Sequence, residues 1–165
     1  MNQNGLEIER KFLIKMPDTA LLERISDCKK VYIEQTYLSD RRRIRRWEED
    51  ANISYIVTFK EKITEMTRIE RESEISKDEF DALMQNRDPS RATIKKVRYR
   101  IPFEDKLLEI DLFDFWKDRA FLEIELESET DTFNVPSFLS IIKEVTEDRR
   151  YRNSALAVTV PFDEI

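Results

Sequence analysis

Between residues 6 and 14 charged and apolar side chains alternate with a period of two. Glu7, Glu9 and Lys11 fall on one face, Leu6, Ile8 and Phe12 on the other, and Arg10 is the one charge on the apolar side. That is the period of a β-strand. It returns over residues 31–38, 43–47, 54–60, 68–75, 93–101, 107–113 and 122–126, which makes eight strands. Arg43 and Arg45 share a face, Lys60 lies opposite Tyr55, Val57 and Phe59, and Arg68, Glu70, Glu72 and Glu74 align. Lys96, Arg98 and Arg100 oppose Val97, Tyr99 and Ile101, with Pro102 expected to end that strand. Glu109 and Asp111 oppose Leu108, Ile110 and Leu112, and Glu123 and Glu125 oppose Leu122, Ile124 and Leu126. Three helices are expected between strands. The first follows Pro17-Asp18-Thr19, carries Leu21, Leu22 and Ile25, and ends near residues 27–29. Ser76 and Glu79 form a capping box that opens the second. Pro136 opens the third, running through Phe138, Ile141 and Ile142.

Every strand is thus expected to set an apolar face against one bearing ionised groups. A flat sheet with one wet side would mix those charges with Thr, Ser and Gln, whereas here they gather as Glu pairs and Arg pairs. A closed eight-stranded barrel with a charged lumen and apolar outer faces covered by helices fits better. The class is α+β, as one domain over residues 1–165. An eight-stranded barrel has room for one small ligand. The expected lumen acids are Glu7, Glu9, Glu70, Glu72, Glu109, Asp111, Glu123 and Glu125, and the bases are Lys11, Arg43, Arg45, Lys60, Arg68, Lys96 and Arg98. Enclosed charges need partners. A polyanion held by the bases and divalent cations held by the acids would satisfy both sets at once. Gln35 and Tyr37 are either lumen contacts or packing.

Composition narrows the chemistry. Charged residues make up 39% of the 165-residue chain, far above the roughly 25% of an ordinary domain. The 40% hydrophobic content still supplies a core. A net charge of −6 argues against a nucleic-acid surface, although cations gather locally over residues 41–46. The chain has no His, and its single cysteine, Cys28, is expected to pack passively on the first helix. Imidazole bases and His-containing zinc sites are thereby excluded. Any bound metal must rely on carboxylate oxygen, which selects Mg²⁺ or Mn²⁺ beside a phosphate. No apolar run approaches a membrane span and no signal-peptide pattern is present, so the expectation is a cytoplasmic protein without membrane partners.

The string Glu-Ile-Glu-Arg-Lys-Phe-Leu, with Glu7-x-Glu9-x-Lys11 at its centre, resembles the N-terminal signature of the CYTH family, the triphosphate tunnel metalloenzymes. Arg43-Ile44-Arg45, Thr58-Phe59-Lys60, Arg68-x-Glu70-x-Glu72, Lys96-Val97-Arg98-Tyr99, Glu109-Ile110-Asp111 and Glu123-Ile124-Glu125 follow in the family's order, and residues 144–157 resemble its C-terminal segment. The resemblance implies a closed eight-stranded antiparallel β-barrel, a tunnel whose bases hold a triphosphate and whose acids hold one or two Mg²⁺ or Mn²⁺ ions. On that basis Glu7, Glu9, Glu123 and Glu125 are expected metal ligands. Lys11, Arg43, Arg45, Lys60, Arg68, Lys96 and Arg98 are expected to bind substrate, while Lys11, Glu70, Glu72 and Asp111 are expected in catalysis. Arg149 and Arg152 are candidates for the tunnel mouth. The opening string resembles the short bacterial branch that hydrolyses inorganic tripolyphosphate, through attack of a metal-activated water on a terminal phosphoanhydride. A class IV-type adenylate cyclase acting on ATP and a non-catalytic polyphosphate or nucleotide binder are the alternatives, and a homodimer is admitted. Residues 61–67 lack the glycine that family members often carry there.

Overall fold

The computed structural model describes residues 5–165. Eight strands close on themselves: β1 (Leu6–Lys15), β2 (Lys29–Tyr37), β3 (Arg43–Glu49), β4 (Asn52–Lys62), β5 (Thr67–Ile75), β6 (Ile94–Phe103), β7 (Lys106–Phe113) and β8 (Arg119–Glu125). Their order around the barrel is β5-β4-β3-β2-β6-β7-β8-β1, and pairing of β1 with β5 closes the ring. Every pairing is antiparallel. The β3–β4 hairpin turns through Asp50 and Ala51, both at positive φ, which matches the twist of the flanking strands without glycine.

Directly opposed residues share a face of the sheet, and the register puts the charges inside. Lys11 lies opposite Glu123 and Glu9 opposite Glu125. Asp111 faces Arg98, Lys60 faces Glu70 and Glu7 faces Arg68. The outward side chains of β1, β6, β7 and β8, including Ile8, Phe12, Tyr99, Ile101, Leu108, Ile110, Leu122 and Ile124, form the largest apolar cluster. Helix α1 (Thr19–Glu23), capped by Asp18, sets Leu22 into it. Helix α2 (Lys77–Met84) has the expected capping box and packs Phe80 on Leu38 and Ile44.

Several expectations give way. Helix α1 ends at Glu23, and Cys28 lies beyond it, half-buried against the main cluster. The helix expected from Pro136 through Ile142 does not form. Residues 141–144 are instead strand β9 (Ile141–Glu144), antiparallel to β1. The cause is a backbone need: β5 covers one edge of β1 only from Leu6 to Ile8, and β9 pairs with that edge at Phe12, Leu13 and Ile14. Cover of the outer face is therefore shared by α1, α2 and the irregular segment bearing Phe133, Val135 and Leu139. Strand β6 also continues through Pro102. Its pairing with β2 ends at Arg100, so a residue lacking an N–H is tolerated where only β7 remains as partner. Strand β2 breaks the charge pattern, because its lumen positions are Val31, Ile33, Gln35 and Tyr37.

Candidate functional site

The lumen is not uniform along its axis. Past Lys11 and Glu123 the inward positions of β1 and β8 turn apolar, where Leu13 and Phe121 join Phe113, Trp116, Tyr151 and Leu156 in a buried plug. The plug is built in part from the C-terminal tail. Two cavities that share part of their lining lie on the polar side. One, of about 630 Å³, is lined by eight basic side chains, Lys11, Arg41, Arg43, Lys60, Lys62, Arg68, Arg91 and Arg152, against three carboxylates, Glu9, Glu65 and Asp88. The other, of about 250 Å³, reverses the balance, with seven carboxylates against five bases. Its acids are Glu7, Glu9, Glu70, Glu72, Glu109, Glu123 and Glu125. Among the described residues Glu9, Arg43, Lys60 and Asn153 line both.

Most lumen charges are already paired. Lys60 Nζ donates to Glu7 Oε2 at 2.7 Å and lies 3.6 Å from Glu70 Oε2. Burial would raise the Glu7 carboxyl, but Lys60, a hydrogen bond with Glu70 and Arg43 outweigh it and bring it down to about 2. Glu70 moves the other way, to about 7, through burial and the neighbouring Glu7 and Glu72. Arg45 pairs with Glu72, and Lys11 Nζ lies 3.3 Å from Glu123 Oε1 and 4.0 Å from the Phe121 ring centre. The Arg43 and Arg45 Nε atoms are buried without a hydrogen-bond partner among the described residues. Such donors call for an acceptor, and a phosphoryl oxygen is the acceptor that suits a guanidinium.

Lys96 and Asp111 stand apart from the cavities. Neither lines either one, and their side chains are almost wholly enclosed. Asp111 accepts from Lys96 Nζ at 2.7 Å and from Arg98 Nε and Nη2 at 2.7 and 2.8 Å. Burial opposes ionisation of Asp111, yet Arg98 and Lys96 hold its carboxyl well below the usual range. Arg98 also reaches Glu109 at 3.0 Å and Glu123 at 3.7 Å, and so lines the acidic cavity from behind. Arg68 lines the basic cavity, and Tyr37 does too, with Gln35 Nε2 donating to its hydroxyl at 3.2 Å. Of the two tail arginines, Arg152 reaches the basic cavity, where it pairs with Glu65 at 2.8 Å, while Arg149 lines neither. Sequence reading missed Arg41, Lys62, Arg91 and Asn153, because these lie in turns, strand ends and the tail helix α3 (Asn153–Leu156), where no alternation marks a face.

Whether the acids suit a cation is a matter of donor chemistry. Among the described residues no three carboxylates stand close enough to form a ready-made cage; most are drawn to lysine or arginine instead. Glu9 is different. Its carboxylate has no hydrogen bond or ion pair among the described residues, and burial followed by repulsion from Glu123 and Glu7 outweighs the attraction of Lys60 and Lys11 and pushes it up to about 8. An enclosed carboxylate whose repulsion from Glu7 and Glu123 is only partly offset by Lys60 and Lys11 is an oxygen donor that suits a hard dication.

A closed barrel with a basic and an acidic chamber in one lumen is the architecture of a polyphosphate-handling tunnel. The CYTH domain matches residues 5–151, and the chain belongs to the CYTH family. It is 32% identical over 163 residues to the inorganic triphosphatase of Nitrosomonas europaea, spanning 94% of this chain and 99% of that protein. The solved structure of an inorganic triphosphatase is similar at a TM-score of 0.57 and 30% identity, over 94% of this chain and 97% of that one. A conserved protein of Pyrococcus furiosus shares the fold at a TM-score of 0.53 and 22% identity, over 75% and 80% of the two chains.

Proposed function

We propose that this protein hydrolyses a terminal phosphoanhydride of a triphosphate, inorganic tripolyphosphate foremost, with the help of Mg²⁺ or Mn²⁺. The division of one lumen into a basic and an acidic chamber that meet at Glu9, Arg43 and Lys60 supports this above any other observation. Triphosphate chemistry needs both environments in contact, one to neutralise the phosphoryl oxygens and the other to retain a dication. The name of the Nitrosomonas europaea relative, an inorganic triphosphatase, points the same way.

In this scheme Lys11, Arg43, Lys60 and Arg68 hold the substrate in the basic chamber, and Arg45 extends the row into the acidic one. The unpartnered Nε atoms of Arg43 and Arg45 donate to phosphoryl oxygens, which fixes the scissile group against the acids. Glu7, Glu9, Glu123 and Glu125 would hold the cation. When bound, the cation supplies positive charge against the phosphoryl oxygens and makes water a better nucleophile. Glu70 and Glu72, on β5 and separated from Glu123 on β8 by strand β1, orient the attacking water and accept its proton on a carboxylate oxygen. Lys96 and Asp111 act one layer back, fixing Arg98 behind Glu109 and Glu123. Turnover of tripolyphosphate, ATP and thiamine triphosphate, each with Mg²⁺ or Mn²⁺, tests the scheme. Release of phosphate from tripolyphosphate is expected to be fastest. Formation of cyclic AMP and pyrophosphate from ATP, or binding without turnover of any of the three, would defeat it.

A further inference from the structure

Where the basic and acidic chambers meet, the lining comprises two cations, Arg43 and Lys60, one carboxylate, Glu9, and one neutral side chain, Asn153. Asn153 comes from the C-terminal tail and not from the barrel wall. Its Oδ1 is buried and has no hydrogen-bond partner among the described residues. A buried amide oxygen left unsatisfied is costly and calls for a donor or a cation. The backbone that carries it is fixed on several sides. Tyr151 is fully enclosed in the aromatic plug, Leu156 packs into the same cluster, Ala92 N donates to Ala157 O at 2.8 Å, and the Arg91 guanidinium donates to Ser154 O. The amide is held at the junction by packing that owes nothing to the amide itself.

We propose that Asn153 is a positioning residue for the divalent cation, its Oδ1 supplying a neutral oxygen, directly or through a bound water, beside the Glu9 carboxylate. The chemistry follows from the location. A dication that serves a triphosphate must touch phosphoryl oxygens on one side and protein oxygen on the other. At the junction Glu9 and Asn153 are the side chains that offer oxygen without a cation already bonded to it. A neutral amide also has an advantage over a further carboxylate there, because it adds an oxygen without repelling the substrate. The rival assignment turns the amide around, so that Nδ2 donates to a phosphoryl oxygen. The two orientations respond oppositely to an isosteric acid. An aspartate would draw the cation closer in the first case and repel the triphosphate in the second.

The inference rests on the cation-dependent triphosphatase function proposed above. Mn²⁺ is titrated into the full-length protein and followed by the electron paramagnetic resonance of the free ion, with tripolyphosphate KM at saturating Mn²⁺ measured alongside. For Asn153→Ala the expected result is Mn²⁺ affinity weakened by about 10-fold, the lower end for loss of a group supporting a metal site, with KM unchanged. Asn153→Asp is expected to bind Mn²⁺ at least as tightly as the wild type. Wild-type Mn²⁺ affinity in Asn153→Ala would overturn the proposal, as would an Asn153→Asp variant whose main change is a raised KM. If the wild-type protein itself neither bound Mn²⁺ nor hydrolysed tripolyphosphate, the triphosphatase function would fail together with it. A wild type active with Mn²⁺ and an indifferent Asn153 would remove the role of Asn153 alone.

Discussion

At the scale of single residues, the lumen contains charges that differ in how far they are already spoken for, and mutation should separate them. Glu9 has no hydrogen bond or ion pair among the described residues and feels Lys60 and Lys11 only at a distance, whereas Glu123 is tied to Lys11 and Arg98. Glu9→Gln should therefore lower turnover by at least ~10²-fold, the scale of losing one electrostatic contact to a transition state. Raised Mn²⁺ should partly restore it, and in metal-free buffer the variant should melt no lower than the wild type. Glu123→Gln should lose turnover and stability together, since it frees two cations. Arg43→Ala should raise the KM for tripolyphosphate with no rescue by metal. Parallel titrations of metal and substrate on the three variants check this; loss of thermal stability alone in all of them would make the charges structural. Asp111 belongs to another group. Removing its charge strands Lys96 inside the wall and leaves Arg98 with only Glu109 and Glu123, so Asp111→Asn should cost ~3–5 kcal/mol in denaturant unfolding. The sign with pH follows from its depressed pKa. Stability from Asp111 is fully present above the ordinary carboxylate range and is lost as pH falls below it toward the folded value. The wild type should thus lose stability with acid below about pH 4, and Asp111→Asn should lack that part of the slope.

At the scale of elements, what could be read from the chain depended on whether local pattern or distant partners decide the conformation. All eight barrel strands were legible, because a half-buried strand writes its two faces into the order of residues. Helix α2 was legible for a similar reason: Ser76 accepts from Glu79 N at 3.1 Å and the Glu79 side chain accepts from Ser76 N at 2.8 Å, a contact made within four residues. Strand β9 was not, because residues 141–144 are extended to meet an edge of β1 more than a hundred residues away in sequence. The same limit hid Asn153 and the cations of the turns, and it hid the plug, where Leu13 and Phe121 occupy inward positions that alternation alone assigns to charge. Helix α2 packs on the outside of β3 and β4, and none of its residues lines either chamber. Ser76→Ala should accordingly cost ~1 kcal/mol through loss of the cap and leave kcat and KM for tripolyphosphate unchanged. A large change in turnover would mean that the outer helix communicates with the lumen.

At the scale of the whole molecule, the barrel inverts the usual arrangement, with its apolar clusters outside the ring or stopping one end and its ionised groups within. Such a lumen is a poor source of stability by itself, because each enclosed charge forfeits hydration that its neighbours only partly replace. Glu9 and Glu70 are both pushed above the ordinary carboxylate value, which shows where the compensation is least complete. A ligand pair that supplies a polyanion to the basic chamber and a dication to the acidic one removes strain from both. Tripolyphosphate and Mg²⁺ together should therefore stabilise the fold more than the sum of the two added singly. At a hundredfold excess over Kd, mass action alone gives ~2.7 kcal/mol. Thermal melts with neither ligand, with each alone and with both would measure the coupling, using a slowly hydrolysed triphosphate analogue to keep the substrate intact. Excess EDTA should abolish the joint stabilisation and turnover alike. Equal melting shifts with and without EDTA, together with undiminished turnover, would mean that the acids of the lumen serve only to pair with its bases.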